Sequence, residues 1–249
     1  MQYEIIVLGA TFAAAGIAQK FGENCLIAER STCAGYEFIN ALSFGTDYDK
    51  EPLSDEAKAL FETFKNKKLL SGERVCLYDC ASSFYKQLEN KNVLLNTEII
   101  SVEKENDGFV CTLHNGSGYK TVTAKKVVDT RVHPWMIESK TFNFSLDCER
   151  VFSGIDGMIT EKWGLDRNVV LRCPVQKNET MADARKKVLD EVLKLPEGIK
   201  LLALADQFDY VLNSGIASEK DGVMYLPSKA HKNPVLAFDA GVLFAGGVL

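Results

Sequence analysis

The residues best placed to do chemistry lie in the first forty positions. The apolar run Tyr3-Glu4-Ile5-Ile6-Val7-Leu8 leads into Gly9-Ala10-Thr11-Phe12-Ala13-Ala14, and small residues continue to Gly16. A second apolar run, Cys25-Leu26-Ile27-Ala28, ends on Glu29, twenty residues after Gly9. Strand, tight turn, helix and strand at this spacing, with an acid closing the second strand, is the layout of a βαβ unit that holds a dinucleotide. Gly9 permits the sharp turn. The N–H groups at the helix start, around Thr11, Phe12 and Ala13, meet a pyrophosphate where the helix dipole favours negative charge. Glu29 accepts hydrogen bonds from the ribose hydroxyls of an adenosine. Thr11 departs from the pattern, because it stands where G-x-G-x-x-G/A has its second glycine. A buried strand–turn–helix without any ligand is the plain alternative.

The rest of the chain must position this unit. With 249 residues, 46% hydrophobic and 25% charged, it is an ordinary globular chain with room for a substantial core. A net charge of −5 argues against nucleic acid or an anionic membrane as partner. No basic segment followed by a long apolar run opens the chain, so a cytoplasmic protein without a signal peptide is expected. Seven cysteines without framework spacing fit reduced, buried thiols. Cys76-x-x-x-Cys80 is one residue too long for C-x-x-C and has no second half, so no metal site is expected.

Periodicity places an amphipathic helix over 53–68, with Leu53, Ala57, Leu60, Phe61 and Phe64 on one face, and a second helix over 80–90 with Phe84, Tyr85 and Leu88 inward. Strands follow: 93–97, then Ile99 to Lys104 with Ile100 and Val102 inward, a turn at Asn106-Asp107-Gly108, Phe109 to His114, a turn at Asn115-Gly116, Lys120 to Ala124, and Lys126 to Thr130. Farther on, Asn168 to Val175 reads as a strand and Thr180 to Leu195 as a helix stopped by Pro196-Glu197-Gly198. Lys200 to Ala205 and Asp209 to Leu212 are further apolar runs. His133-Pro134-Trp135 is a turn, and His133 reads as a loop histidine before it reads as an acid or base.

VLGATFAAAG, LIAER and STCAGYEFINA, followed by NVLLNTEIISVE, DGFVCTLHNGSGYKTVTA and KKVVDTR, resemble FAD-dependent oxidoreductases of the glutathione-reductase-like, two-dinucleotide-binding-domain class. The resemblance implies an α/β fold: a Rossmann-like parallel sheet with a β-meander, plus an inserted α+β substrate-type domain. It assigns 1–131 and 235–249 to the FAD domain and 132–234 to the insert. It implies FAD as cofactor, with the pyrophosphate over Gly9 to Ala13, the ribose on Glu29, and Arg30, Ala34 and Gly35 beside the phosphate and ribityl. Adenine falls at the Thr97-Glu98-Ile99 step, and Thr130-Arg131 stands in the family's A-T-G turn. The last stretch, Gly241 to Leu249, resembles a final parallel strand whose tip, Gly246-Gly247, supports the ribityl chain. On this reading the helix that follows that strand in the family is missing.

The resemblance implies hydride transfer through the flavin N5, with no catalytic side chain or substrate identified. Cys33 falls near the expected flavin face, as a buried turn residue rather than a redox thiol. Thr11, Thr130-Arg131, Gly247 in place of an aspartate and the absent helix point instead to a degenerate, non-catalytic relative that binds a nucleotide weakly or serves as an interaction protein. Simple NAD binding by the first βαβ unit is a third reading. Oligomeric state is not legible.

Overall fold

The computed structural model describes residues 2–71, 74–75, 77–162, 168–213 and 217–247. In chain order the elements are β1 (Gln2–Leu8), α1 (Phe12–Phe21), β2 (Cys25–Ala28), α2 (Asp55–Asn66), β3 (Leu70–Ser71), β4 (Arg74–Val75), α3 (Leu77–Gln87), β5 (Asn92–Leu94), β6 (Glu98–Glu105), β7 (Gly108–Asn115), β8 (Gly118–Asp129), β9 (Ile137–Cys148), β10 (Ile159–Lys162), β11 (Asn168–Val175), α4 (Met181–Val192), β12 (Ile199–Leu204), β13 (Asp209–Leu212), β14 (Ser218–Lys220), β15 (Val223–Tyr225) and α5 (Pro234–Ala245).

The first sheet runs β14-β15-β8-β1-β2-β5, with the meander β6-β7 attached to β8. Its centre is parallel: β1 lies between β2 and β8, and β15 adds to β8 through Met224↔Val128 and Tyr225↔Asp129. This is the expected α/β, Rossmann-like sheet with a β-meander. The apolar runs of β1 and β2 are buried on both faces, as parallel strands covered by helices require. The two expected strands over 120–124 and 126–130 are one, β8, which ends at Asp129. The first half of β8 pairs with β7 and the second half with β1. Lys125 and Lys126, which look like a break, are exposed residues within it. In β6 a bulge between Ile99 and Ser101 turns Ile99 and Val102 toward the core, leaving Ile100 exposed, contrary to the simple alternation.

Ala57, Leu60, Phe61 and Phe64 of α2 are buried as their spacing predicts, but Leu53 precedes the Ser54 N-cap and is 71% exposed. Helix α3 starts three residues earlier than expected; Phe84 is buried and Tyr85 is exposed. Cys76 lies outside the described residues.

The second sheet has β9 at its centre, paired with β11, β12 and β13, and β10 on the far side of β11. One face of β9 carries Phe142, Phe144 and Leu146 into a core closed by Ala184 and Val188 of α4. A capping box of Thr180 and Asp183 starts that helix. The other face turns Asn143 toward the first sheet's loops, where its Nδ2 donates to Ala41 O at 2.9 Å. The second sheet spans residues 137–212, and 218–225 already belong to the first sheet.

The end of the chain differs from its sequence reading. Gly241 to Ala245 is the second half of helix α5, not a strand. The strand that returns to the sheet is β15, and the helix that follows it is α5 itself, so that helix is present. Asn233 caps it, its Oδ1 accepting from Leu236 N, and Pro234 takes the first helical position. Its run from Val235 to Val242 shows no exposed polar side because the helix is buried against α1 and the start of α2, where its one charged residue, Asp239, accepts from Leu53 N and Ser54 N. A Cβ on Gly16 would lie 2.1 Å from Phe238 O, and one on Gly241 would lie 2.0 Å from Ala13 O. The two helices therefore cross backbone against backbone. Val248 and Leu249 lie outside the described residues.

Candidate functional site

The carboxyl edge of the parallel strands, where α/β sheets bind ligands, collects Gly9, Glu29, Arg30 and Asp129-Thr130-Arg131. Gly9 makes the turn out of β1 at φ +95. A Cβ on Gly9 would lie 2.6 Å from Arg131 Cγ, so the Arg131 stem lies against this turn. Thr11 is the N-cap of α1. Its hydroxyl accepts from Ala14 N at 3.1 Å and donates to Thr130 Oγ1 at 2.8 Å. The side chain that breaks the glycine pattern thus closes the helix start from within.

The next two N–H groups are also taken. Phe12 N donates to Glu37 Oε1 at 2.9 Å, and Ala13 N to Ser228 Oγ at 3.3 Å. The Ser228 hydroxyl donates in turn to the same Glu37 oxygen at 2.6 Å. Glu37 is buried, and its second oxygen, Oε2, has no hydrogen-bond partner among the described residues. Burial pushes its carboxyl up to about 7, against the opposing pull of the Ser228 hydroxyl and the Phe12 N–H.

Glu29, expected to grip a ribose, is 2% exposed. Its oxygens accept from Ala10 N at 3.1 Å and Ser31 N at 2.7 Å, tying the β2 exit to the β1 exit. The Phe12 ring is fully buried and stacks on Phe84 at 3.9 Å between centroids. Gly35 presses on the same rings: a Cβ there would meet Phe84 and Phe12 at 2.9 and 3.0 Å. Ala34 N is bonded to Tyr85 OH at 3.2 Å. Ile99 packs into the core on β6. Gly246 and Gly247 follow the last turn of α5, whose opposite end is the one near Ser228. At about 1.5 Å per residue the helix carries them some 18 Å from its N-terminus, so they leave the site.

Residues of this kind do not fit an FAD. The helix N–H groups that would meet its pyrophosphate already hold a carboxylate and two hydroxyls. The acid that would hold its ribose is turned inward, and the Arg131 stem lies against the Gly9 turn.

What stays open is a cleft of about 370 Å³ between the two sheets, lined by Arg30, Tyr36, Glu37, Arg131, His133 and Tyr210 among others. Its walls are fixed by Asp129. The Asp129 carboxylate accepts from Arg131 Nε at 2.9 Å and Nη2 at 2.6 Å, and lies 2.9 Å from His133 Nε2. Burial alone would raise Asp129; the Arg131 and His133 hydrogen bonds outweigh it and hold the carboxyl below the usual range. His133 is thus an orienting partner in a cluster with Trp135 and Tyr225, whose rings lie 6.1 and 5.3 Å away. Burial and the neighbouring carboxylates of Glu29 and Glu37 keep the Tyr36 phenol well above its ordinary value. Sequence reasoning missed Glu37, Ser228, Tyr36 and Asp129. Ser228 lies 215 residues from the backbone it caps, and no local pattern announces that pairing.

Among the described residues no cluster of three metal-ligating side chains occurs, and no helix is long and apolar enough to cross a membrane. Solved structures share the fold. The chain matches p-nitrophenol 4-monooxygenase from Pseudomonas putida at a TM-score of 0.62 and 11% identity, over 98% of this chain and 78% of that one. Glycine oxidase from Geobacillus kaustophilus gives 0.63 and 13%, over 99% and 94%. A flavoprotein/dehydrogenase from Cytophaga hutchinsonii gives 0.52 and 12%, over 99% and 79%. Against two hydroxylases of similar likeness, an anhydrotetracycline hydroxylase from Streptomyces rimosus and an aromatic hydroxylase from angucycline biosynthesis, the chain spans only 62% and 63% of the neighbour's length. At these identities the likeness establishes the fold alone. No family model and no curated protein matches the sequence.

Proposed function

We propose that this chain is a degenerate relative of the FAD-dependent oxidoreductases. It keeps their fold, holds the dinucleotide cradle shut with its own side chains, and works as a binding protein through the cleft lined by Arg30, Tyr36, Arg131, His133 and Tyr210. The observation that carries this reading is the Glu37 carboxyl seated on Phe12 N, with Ser228 on Ala13 N, where a pyrophosphate would have to lie. Admitting a dinucleotide would break four hydrogen bonds to the Glu29 and Glu37 carboxyl groups. Each such bond contributes about 1.5–3 kcal/mol when the group is charged.

The second reading is a working FAD-dependent oxidoreductase, passing hydride through the flavin with a substrate still to be found. It is favoured by the likeness of nearly the whole chain to glycine oxidase. Both readings meet in one experiment: the visible spectrum of the purified protein, before and after FAD is added and free cofactor removed. A protein that stays colourless supports the closed cradle. Retained flavin absorbance overturns it in favour of the enzyme.

A further inference from the structure

We propose that the open end of the second sheet binds a small amphipathic carboxylate, an unbranched acid of medium chain length, with its chain on the sheet's apolar face and its head at Lys140 and Lys177. The site goes beyond the cleft of the closed-cradle reading and does not rest on that closure, because none of Gly9, Glu29 and Glu37 lines it.

The chamber exists because of where a helix begins. Val175 of β11, Lys140 of β9 and Tyr210 of β13 are paired side by side, so their side chains stand on one face of the sheet. Two residues farther along β9, Phe142 enters the core that α4 closes. Helix α4 starts only at Met181, and the row at Val175, Lys140 and Tyr210 lies at its leading edge, half-buried. A chamber of about 620 Å³ remains there, with Pro134, Ile137, Val175, Phe208 and Tyr210 as its apolar wall. Its size and lining are those of a small-molecule site.

Two ammonium groups line this wall without a counter-charge. Lys140 Nζ donates to Glu179 O at 2.6 Å and lies 4.3 Å from the centre of the Phe208 ring. A carbonyl and a ring face attract a cation but do not neutralise it. Lys177 is exposed and has no hydrogen bond or ion pair among the described residues. The one acid lining the chamber, Glu138, is exposed and is paired with neither lysine. Charge complementarity therefore selects the occupant. A small anion alone would leave the apolar wall in water, and a neutral chain would leave a half-buried cation without its anion. A chain that ends in a carboxylate satisfies both.

The probe is decanoate, with decanol as the chain without the charge and acetate as the charge without the chain. Each is titrated calorimetrically into the full chain. Decanoate should bind once per chain and about tenfold more tightly than decanol, the difference one charge-assisted hydrogen bond supplies. Acetate should not bind. Lys140→Met with Lys177→Met keeps apolar stems in place of both lysines and should bring decanoate down to the affinity of decanol. Lys177→Glu changes only an exposed residue and should weaken decanoate by about tenfold or more; it decides the matter if the double variant does not fold. The proposal is overturned if decanoate does not bind, if decanol binds equally well, or if Lys177→Glu leaves the decanoate affinity unchanged. Flavin uptake bears on the closed cradle alone, so the two readings fail separately.

Discussion

The Oε1 oxygen of Glu37 accepts from Phe12 N at 2.9 Å, across twenty-five residues of sequence. This bond joins the loop after β2 to the first turn of α1. Because Ser228 bonds the same oxygen, it also draws in the turn that precedes α5. Three segments that would border a cofactor are instead tied to one another.

The first consequence is a pH dependence of stability. Glu37 holds its proton to about 7 in the folded chain, against an ordinary value of 4.5. Between those values the folded state binds more protons than the unfolded one, so stability falls as pH rises. The contribution is complete below pH 4.5 and lost once pH passes about 7, and is on the order of 3 kcal/mol. Lys229, beside Glu37, limits it by favouring the carboxylate. His231 acts oppositely: burial pushes its imidazole down, so its contribution is present above its ordinary value of 6.5 and lost on acidification. The expected outcome is that Glu37→Gln loses less stability than the unaltered chain between about pH 5 and 8, measured by urea unfolding. Parallel curves for the two proteins would contradict it.

Much of the fold is legible in the sequence because its elements are local. The run ending at Leu8, the turn at Gly9 and the run from Cys25 to Ala28 specify strand, turn and strand by themselves. Helix α4 announces both ends, through Thr180 with Asp183 and through Pro196. The terminal helix α5 misleads because periodicity fails where a helix is buried all round; Val242 to Ala245 could equally be a strand. The site is less legible. Glu29 stands where a ribose-binding acid belongs, and only the structure shows its oxygens committed to Ala10 N and Ser31 N. Glu37 and Ser228 carry no motif, because what they do depends on a meeting of distant segments.

Asp129 is the second test. It is nearly fully buried, and its two oxygens hold Arg131 and His133 at the cleft wall. Asp129→Asn leaves the Arg131 guanidinium without its counter-charge. Breaking a buried pair costs about 3–5 kcal/mol, and partial exposure of Arg131 should bring this toward the lower end or below it. Replacing both partners, Asp129→Asn with Arg131→Met, removes the stranded charge and should recover a good part of the loss. Equilibrium unfolding of the three variants decides the matter. A double variant no more stable than Asp129→Asn would mean that the pair does not act as a unit.

The crossing of α1 and α5 gives the last prediction. Alanine is the better helix former, and in a helix with free space Gly→Ala adds about 1 kcal/mol. At Gly241 the added methyl would lie 2.0 Å from the Ala13 carbonyl oxygen and 2.9 Å from its carbon. Both are backbone atoms and cannot turn aside as a flexible side chain can. Relief requires the helices to separate, which opens the packing of Phe12, Ile17 and Phe238, and overpacking of this kind costs about 1–3 kcal/mol or more. The clash should outweigh the propensity gain, so Gly241→Ala should lower the thermal midpoint, by about 2–4 °C per kcal/mol for a chain of this size. Gly116→Ala is the control, because a Cβ there meets nothing within 4 Å. Equal midpoints for the two variants would show that α1 and α5 do not touch backbone to backbone.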